Sequence, residues 1–372
     1  MKLRCERDVL VEALTTAGRA VSSRGGATQV LSGVRLEVAG DRLHVAGSDL
    51  DLTIEVELTA AGTEDGACVL PARLVADIVR ALEPGAVTLE ADEDEARILA
   101  GRSQFAVRTF PIGDFPRLPR VGGEGVVITA GDFSEALRQV VRAASSDDAR
   151  PMLTGVLMSA EEGGLRLVAT DSYRLAVRDL PGTTVLSEGQ HVLVPARALG
   201  ELQRLLSGGT AGGADHPVTL YIGEFEASFE TGSVRLTTRL IEGEFPNYRQ
   251  LLPATYPNRL SVDKETLLDA VRRVKLLVKD ATTPVRVALR PEGIDLRVVT
   301  QEVGQASEDV DAKYEGGPDL TIAFNPNYLM DGVEAVVGTE VLLETIDSTK
   351  PATVRSTEND NFRYLLMPVR VS

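Results

Sequence analysis

Apolar positions along this chain follow two spacings. In three segments they recur every three to four residues, which predicts helices with one buried face: Arg7 to Val21, Asp132 to Ala144 and Asp263 to Val278. Elsewhere short runs alternate apolar and polar residues, as in Val34–Val38 and Leu43–Val45, with a turn sequence between them. Such runs predict β-hairpins.

A second helix series begins at Pro71, Pro195 and Asn325 and ends near Leu82, Leu206 and Val336. Proline suits a first helical turn. In the first series, Asp132 and Asp263 are predicted N-caps, because a short carboxylate can accept the free N–H groups of a helix start. Two helices with antiparallel strands between them predict an α+β fold.

The whole pattern is repeated. Leu31-Ser32-Gly33-Val34 returns 122 positions later as Leu153-Thr154-Gly155-Val156, and Ser48-Asp49 returns at the same offset as Thr170-Asp171. A period near 120 residues exceeds the roughly 20 to 50 residues of solenoid repeats, so an entire domain is repeated. We predict three domains over residues 1–120, 128–253 and 254–372.

Composition excludes several classes of protein. No apolar run reaches the roughly 18 residues of a membrane span, and the N-terminus lacks the apolar core of a signal peptide, so we expect a cytoplasmic protein. Cys5 and Cys68 are the only cysteines, and the three histidines lack zinc-site spacing. We therefore expect no metal and no cofactor.

Charge gives two kinds of surface. The chain has 39 basic and 55 acidic residues, a net charge of −16, which by itself argues against binding to phosphate. Five of the six predicted helices nevertheless carry basic residues, and only the last, with Asp331 and Glu334, is acidic. Arginine is also a good helix former on any solvated face, so a single helix of this kind would mean little. Its recurrence at equivalent places favours a shared role.

Four strings carry a family resemblance over the whole chain. They are Arg150-Pro151-Met152-Leu153-Thr154-Gly155-Val156, the run Val168 to Ala176, Phe245-Pro246-Asn247-Tyr248, and the terminal Met367-Pro368-Val369-Arg370. Their order and spacing resemble those of the bacterial sliding clamps, the β subunits of DNA polymerase III. The resemblance implies a non-catalytic, head-to-tail homodimeric ring, with helices lining a hole and sheets outside, that slides on double-stranded DNA of any sequence.

The resemblance also implies site residues and partners. A hydrophobic groove would bind peptides of the polymerase α subunit, the clamp loader, translesion polymerases, ligase and mismatch-repair proteins. Its matching positions are Arg150, Leu153, Thr170, Ser172, Tyr173, Arg174, Leu175, Pro246, Leu251, Leu365, Met367, Pro368, Val369 and Arg370. DNA would meet Arg24, Arg73, Arg80, Arg138, Arg142, Arg197 and Arg204. The dimer contact would join Phe105 and Val107 to Leu276 and Leu277.

The chain departs from the family pattern at several positions. Tyr173 stands where familiar members have histidine, Gln250 where they have a second arginine, and Pro151-Met152 where they have paired aromatic residues. The end Val371-Ser372 extends one serine beyond the usual apolar terminus. These departures predict altered peptide preferences.

Two alternatives come from other classes of protein. An enzyme could use Asp49 and Asp171, or Asp171 with Ser172, although a serine nucleophile needs a base that no nearby histidine supplies. The element is more typical of a turn at a strand end. A monomeric peptide-binding scaffold would share the groove but would need neither the arginine-bearing helices nor the apolar patches near Phe105 and Leu276.

Overall fold

The computed structural model describes residues 1–22, 29–161, 163–208, 216–280 and 282–370. These residues form helices and sheets whose described strand pairs are all antiparallel. Two compact units result: Met1–Ser134 with Arg197–Leu240, and Glu135–Ala196 with Ile241–Ser372. The predicted α+β class is confirmed.

The helices recur in the predicted order. They are α1 (Arg7–Ala17), α2 (Ala72–Ala81), α3 (Ala130–Val140), α4 (Ala196–Ser207), α5 (Lys264–Lys275) and α6 (Pro326–Ala335). Their buried faces follow the helical spacing, as with Leu267, Val271 and Val274 of α5. Each copy of the repeat thus contributes two helices.

The first unit holds two sheets. The five-stranded sheet has the order β5-β1-β7-β8-β9, formed by β1 (Lys2–Glu6), β5 (Ala61–Glu64), β7 (Ala86–Ala91), β8 (Glu95–Ala100) and β9 (Ser103–Arg108). The eight-stranded sheet has the order β10-β15-β16-β17-β4-β3-β2-β6. Its strands are β2 (Gly33–Ala39), β3 (Arg42–Ser48), β4 (Leu52–Thr59), β6 (Gly66–Pro71), β10 (Val126–Ile128), β15 (Val218–Ile222), β16 (Glu226–Thr231) and β17 (Val234–Arg239).

The second unit holds a twelve-stranded sheet of order β14-β11-β12-β13-β25-β24-β23-β18-β21-β20-β19-β22. Strands from the second copy are β11 (Gly155–Glu161), β12 (Gly164–Thr170), β13 (Arg174–Pro181) and β14 (His191–Pro195). Those from the third copy are β18 (Asn258–Asp263), β19 (Val285–Arg290), β20 (Gly293–Thr300), β21 (Gly304–Glu315), β22 (Leu320–Phe324), β23 (Glu340–Thr345), β24 (Ala352–Ser356) and β25 (Phe362–Leu366).

Consecutive copies join through one strand pair each. In the first unit β17 of the second copy pairs with β4 of the first, with Leu236 opposite Ile54. In the second unit β25 of the third copy pairs with β13 of the second, with Tyr364 opposite Ala176. The same junction is therefore built twice.

Some predicted boundaries need correction. Asp263 caps α5 by accepting the Thr266 N–H at 2.8 Å, as predicted. Asp132 is not an N-cap, because α3 begins earlier and the Phe133 N–H donates to Thr129. The carboxylate of Asp132 lies in the first turn instead, where it complements the helix dipole.

The prolines and the helix ends also differ from prediction. Pro71 and Pro195 are the last residues of strands and directly precede their helices rather than lying within the first turn. The helices α1 and α3 end earlier than predicted, because each tightens into a 3₁₀ turn, Gly18–Ala20 and Val141–Ala143. The first predicted hairpin is confirmed, with Ala39 opposite Arg42 in β2 and β3.

Candidate functional site

One face of the twelve-stranded sheet is apolar over the strands of the second copy. Strand register aligns buried residues across five strands, and alternate residues on a strand share a face. The aligned residues are Leu193, Leu157, Val168, Val177, Leu175 and Leu365. Residues of the segment 241–252 and Met152 pack onto them, with Tyr248 buried in the same cluster. This apolar face is the floor of the candidate site.

The other two copies are polar or small at most of the same register positions. The residues that replace Leu157, Val168, Leu175, Val177 and Leu193 are Arg35, Ala46, Thr53, Glu55 and Val69 in the first copy, and Arg286, Arg297, Gln305, Ser307 and Ala323 in the third. A shared fold does not require an apolar face here, since two copies fold without it. The second copy therefore differs for a reason other than the repeat itself.

The predicted groove residues divide into a floor and a rim. Leu153, Leu175 and Leu365 are buried. Tyr173 and Met367 are exposed by 60% and 40%, and the Met367 N–H donates to the Tyr173 carbonyl at 2.9 Å, which joins the two strand ends. The remaining rim contains the exposed Leu251, Pro246, Ser172 and Arg370, with Arg150, Pro368 and Val369 half-buried.

A tight turn positions the rim next to the floor. The Asp171 carboxylate accepts the N–H groups of Tyr173 and Arg174 at 2.9 and 3.0 Å, and the Thr170 hydroxyl donates to the Arg174 carbonyl. Ser172 has φ of 80°, in the left-handed region that costs a non-glycine residue energy. Leu50, its equivalent in the first copy, has φ of 82°.

The hydrogen bonds of this turn give a structural role to Asp49 and Asp171, the carboxylates of the enzyme alternative. Asp49 accepts the N–H groups of Asp51 and Leu52, as Asp171 does in the second copy. The Ser172 hydroxyl receives a hydrogen bond from Arg150 at 3.0 Å. Carboxylates held by backbone N–H groups and a serine beside a cation are typical of a structural turn.

Arg174 is held inside the protein. Its guanidinium donates to Asp171 at 3.0 Å and to Asp331 of α6, and lies 4.4 Å from the centre of the Tyr328 ring. Burial alone would lower the pKa of Arg174, but Tyr364, Asp331 and Asp171 raise it overall. The Arg174 side chain therefore holds the turn against α6.

Four of the predicted DNA-contacting arginines lie in the first unit. The side chains of Arg73, Arg80, Arg197 and Arg204 are more than half exposed. Each also has a carboxylate partner: Asp77 for the two on α2, Asp49 for Arg197 and Glu201 for Arg204. The pairs of Arg73 and Arg80 with Asp77 are exposed on both sides and contribute at most about 1 kcal/mol, so these two arginines remain able to exchange partners. The carboxylates of Asp49 and Glu201 are largely buried.

The two predicted DNA-contacting arginines of the second unit, Arg138 and Arg142, are bound to groups at the end of α6. Arg138 donates to the carbonyls of Glu334 and Ala335 at 3.0 Å, and Gln139 donates to Ala335 at 2.9 Å. Arg142 pairs with Glu334 at 3.0 Å. Because free carbonyls at a helix end attract cations, these side chains hold α3 to the end of α6. Arg24 lies outside the described residues.

The predicted dimer residues lie beside unpaired strand edges. Phe105 on β9 is 39% exposed, whereas Val107 is buried in its own unit. Leu276 is 85% exposed. Leu277 is half-buried, and a Cβ placed on Gly304 of β21 would meet its side chain at 4.0 Å.

Within the described residues, no group of three or more His, Cys, Asp or Glu side chains could hold a metal ion. No helix there is long and apolar enough to cross a bilayer. Both cysteines are buried, and burial raises the pKa of the Cys68 thiol to about 12.

Comparison with known proteins identifies the family. Profiles of the N-terminal, central and C-terminal domains of the DNA polymerase III beta subunit match residues 1–119, 128–247 and 249–370. The chain belongs to the DNA polymerase III beta-subunit family. Relatives include the beta sliding clamps of Streptomyces coelicolor, 34% identical over 388 residues, and of Synechococcus elongatus, 34% identical over 377 residues, with full coverage of both chains in each case.

Solved clamp structures have the same fold. The sliding clamp of Bacillus subtilis gives a TM-score of 0.91 at 27% identity, and the DnaN clamp of Bartonella birtlesii bound to griselimycin gives 0.93 at 30%, each with full coverage of both chains. In this clamp chain the sequence motifs predicted the rim residues and the buried Leu153, Leu175 and Leu365 as parts of the groove. They did not identify Leu157, Val168, Val177 or Leu193, whose shared face appears only when the strands are aligned.

We expect substitutions of Ser172, which change the backbone strain of the turn beside the groove, to change the free energy of unfolding. Ser172→Gly should raise the free energy of unfolding by up to about 1 kcal/mol, because glycine adopts a positive φ without a Cβ clash. Ser172→Val should lower it by more than about 1 kcal/mol, since a β-branched residue fits this region poorly. Thermal unfolding measures both changes. Ser187→Val, at an exposed serine without positive φ, is the control, and equal melting of all three variants would contradict the assignment.

Proposed function

We propose that this clamp chain is the processivity factor of a replicative DNA polymerase. Two copies would close head to tail into a ring around duplex DNA, without catalysis, metal or cofactor, and bind partner proteins through the groove. Clamp domains would span 1–120, 128–253 and 254–372. Because bacterial chromosomal DNA lies in the cytoplasm, this function places the protein there. A pair of strand edges, one on β9 and one on β21, carries the proposal.

These edges correspond to the strand pairs that join the copies within the chain. β9 is the first copy's equivalent of β17 and β25, and it is the edge of its sheet. In β21, residues 304–311 pair with β20 and, among the described strands, with no other on their far side. They correspond to the parts of β4 and β13 that receive β17 and β25. A free edge is a template for another strand, so we infer that β9 of one chain pairs with β21 of its partner.

Burial at equivalent positions supports this pairing. Phe105 corresponds to Leu236 and Tyr364, which are completely buried at the two internal junctions. The repeated register would set Phe105 opposite Ala306. Formation of this contact twice, under twofold symmetry, would close six copies of the domain into a ring.

The position of Leu276, directly after α5, supports the same contact between the two chains. Its equivalents, Arg19 and Arg142, lie 3.9 Å from Glu201 and 3.6 Å from Asp331 of the following copy's second helix. In the proposed dimer the corresponding helix is α2 of the partner chain, where Leu74 is 50% exposed. An apolar contact would therefore replace the ion pair at the junction between chains.

The helices provide a surface suited to sliding. Arg73, Arg80, Arg197 and Arg204 would meet phosphates, and the carboxylates beside them compete for the same guanidinium groups. Binding that rests on phosphates is independent of sequence and weakens steeply with salt. Closure of the ring, rather than affinity, would then keep the protein on DNA.

The groove would bind partner peptides. Its apolar floor is specific to the second copy, and the exposed Tyr173, Leu251 and Met367 form its rim. Adaptable apolar walls with polar groups at the edge suit short linear peptides. Griselimycin bound to the clamps of Pseudomonas aeruginosa and Bartonella birtlesii supports a ligand site on this fold.

The ring is tested by DNA topology. Protein loaded onto circular duplex should remain bound in salt that removes it from linear duplex, because phosphate contacts weaken while closure persists. Retention on each DNA is measured by gel filtration after loading. Arg73→Glu with Arg197→Glu should impair loading without unfolding the domains, and Arg97→Glu, on a strand of the five-stranded sheet, is the control. Equal retention on linear and circular DNA would contradict a ring.

The dimer contact is tested by charge. Replacing Leu276 and Leu277 with aspartate should give monomers, because an unpaired charge would be buried against the partner's apolar surface. Sedimentation velocity measures the mass. Phe225→Asp, at an apolar residue that is 57% exposed elsewhere, should leave the dimer intact. A dimer that survived both leucine changes would rule out the assignment of the contact to these residues. A monomeric wild type would favour the monomeric scaffold instead.

The groove is tested by truncating its rim. Met367→Ala, or deletion of residues 367–372, should weaken binding of a polymerase-derived peptide by roughly 30-fold, about 2 kcal/mol, because apolar anchors dominate such interfaces. Fluorescence anisotropy measures the affinity. Val337→Ala, at a similarly exposed valine of the same unit, is the control. Tight binding of the peptide to the truncated chain would place the groove elsewhere.

A further inference from the structure

A second concavity lies on the apolar face, beside the groove. It has a volume of about 640 Å³ and is lined by Leu157 and residues 159–161 of β11, residues 189–191 at the start of β14, and residues 244–250. Of the predicted groove residues it shares only Pro246. We call it the β11 pocket.

The β11 pocket is continuous with the groove. Leu157 on its floor belongs to the same packed cluster as Leu175 and Leu365 of the groove, and Tyr248, which also lines the pocket, lies in that cluster. The strand register separates Leu157 from Leu175 by the single strand β12. Neighbouring strands are roughly 4.8 Å apart, so about 10 Å separates the two floors.

The other copies cannot form this pocket. Arg35 and Arg286 occupy the position of Leu157 in the first and third copies, and a guanidinium there would fill the floor with charge. The fold therefore tolerates arginine at this position, yet the second copy has leucine beside the groove.

The pocket combines an apolar interior with an acidic mouth. Glu161 is neutralised by hydrogen bonds from Arg166 and Arg249. Among the described residues, the Glu244 carboxylate at the mouth makes no hydrogen bond or ion pair, and the same holds for the side chains of His191 and Gln250. The exposed Glu188 directly precedes Gly189 of the pocket lining and adds negative charge nearby. An occupant with an apolar body and a positive end would complement this arrangement.

We propose that the β11 pocket is an extension of the peptide groove, which binds an aromatic side chain and an adjacent arginine or lysine in the flank of a partner peptide. The proposal rests on the proposed groove function and adds a specificity to it. Three extended residues span about 10 Å, so the aromatic residue would lie about three positions from the apolar core that fills the groove. Segment 244–250 would then contact the peptide on both sides.

Three synthetic peptides test the proposal. They share one fluorescein-labelled core of leucine and phenylalanine and a three-residue spacer, and they end in Trp-Arg, Trp-Glu or Ser-Gly. A second set carries the same flanks on the opposite side of the core. In one of the two sets, the Trp-Arg peptide should bind the wild-type dimer about tenfold more tightly than the Ser-Gly peptide, with Trp-Glu between them, by fluorescence anisotropy.

Two variants test whether the preference for the Trp-Arg flank arises in the β11 pocket. Glu244→Lys should reverse the preference between Trp-Arg and Trp-Glu, and its control is Glu242→Lys, a charge change two residues away on a side chain that does not line the pocket. Leu157→Arg should remove the advantage of tryptophan, since it recreates the floor of the other copies. Melting temperatures identify any variant that fails to fold, and Glu244→Lys, at an exposed residue, tests the proposal independently of the core.

The outcomes separate the pocket from the groove. Equal affinity of all flanks for the wild type, with the core still bound, would overturn the pocket and leave the groove intact. An unchanged preference in Glu244→Lys would also overturn it. Failure of every peptide to bind would overturn both the pocket and the groove function. A tenfold preference that is reversed by Glu244→Lys and retained by Glu242→Lys would support the pocket.

Discussion

An antiparallel sheet leaves a row of unpaired N–H and C=O groups on each outer strand, and the organisation of this protein depends on how those edges are covered. The last strand of each following copy pairs with an inner strand of the copy before it, β17 with β4 and β25 with β13. Among the described strands, β9 and residues 304–311 of β21 have no such partner from a neighbouring copy. Because an exposed edge invites pairing, the repeat itself argues for association of two chains.

The same strand register shows how the copies have diverged. Positions that face one side of the sheet hold Arg35 and Glu55 in the first copy, Arg286 and Arg297 in the third, and only apolar residues in the second. Burial of that apolar surface under segment 241–252 stabilises the second copy, and its uncovered margins form the groove and the β11 pocket. One fold therefore has apolar residues at these positions in one copy, where we propose a binding surface, and charged residues in the others.

The helices carry arginines although the chain is acidic overall. Ion pairs between those arginines and neighbouring carboxylates account for this contrast. Arginines that are adjacent to carboxylates at the surface, such as Arg73 with Asp77, can exchange them for phosphate at little cost. Arginines fixed between helices cannot, as Arg138 shows through its bonds to the end of α6. The proposed DNA surface thus rests mainly on the exposed arginines of the first unit, and the buried ones stabilise the junction between copies.

The sequence by itself determined the α+β class, the repeats and the helix positions, because apolar spacing and a constant offset of motifs are local properties of the chain. Motifs also identified the family and predicted the rim of the groove. Only the tertiary structure decided which side chains share a face: Leu157 and Leu175 meet through strand register, Arg197 finds Asp49 across 148 positions, and Arg174 is bound to Asp331. Contacts between distant strands depend on how the sheets align, and no local pattern in the chain records that alignment.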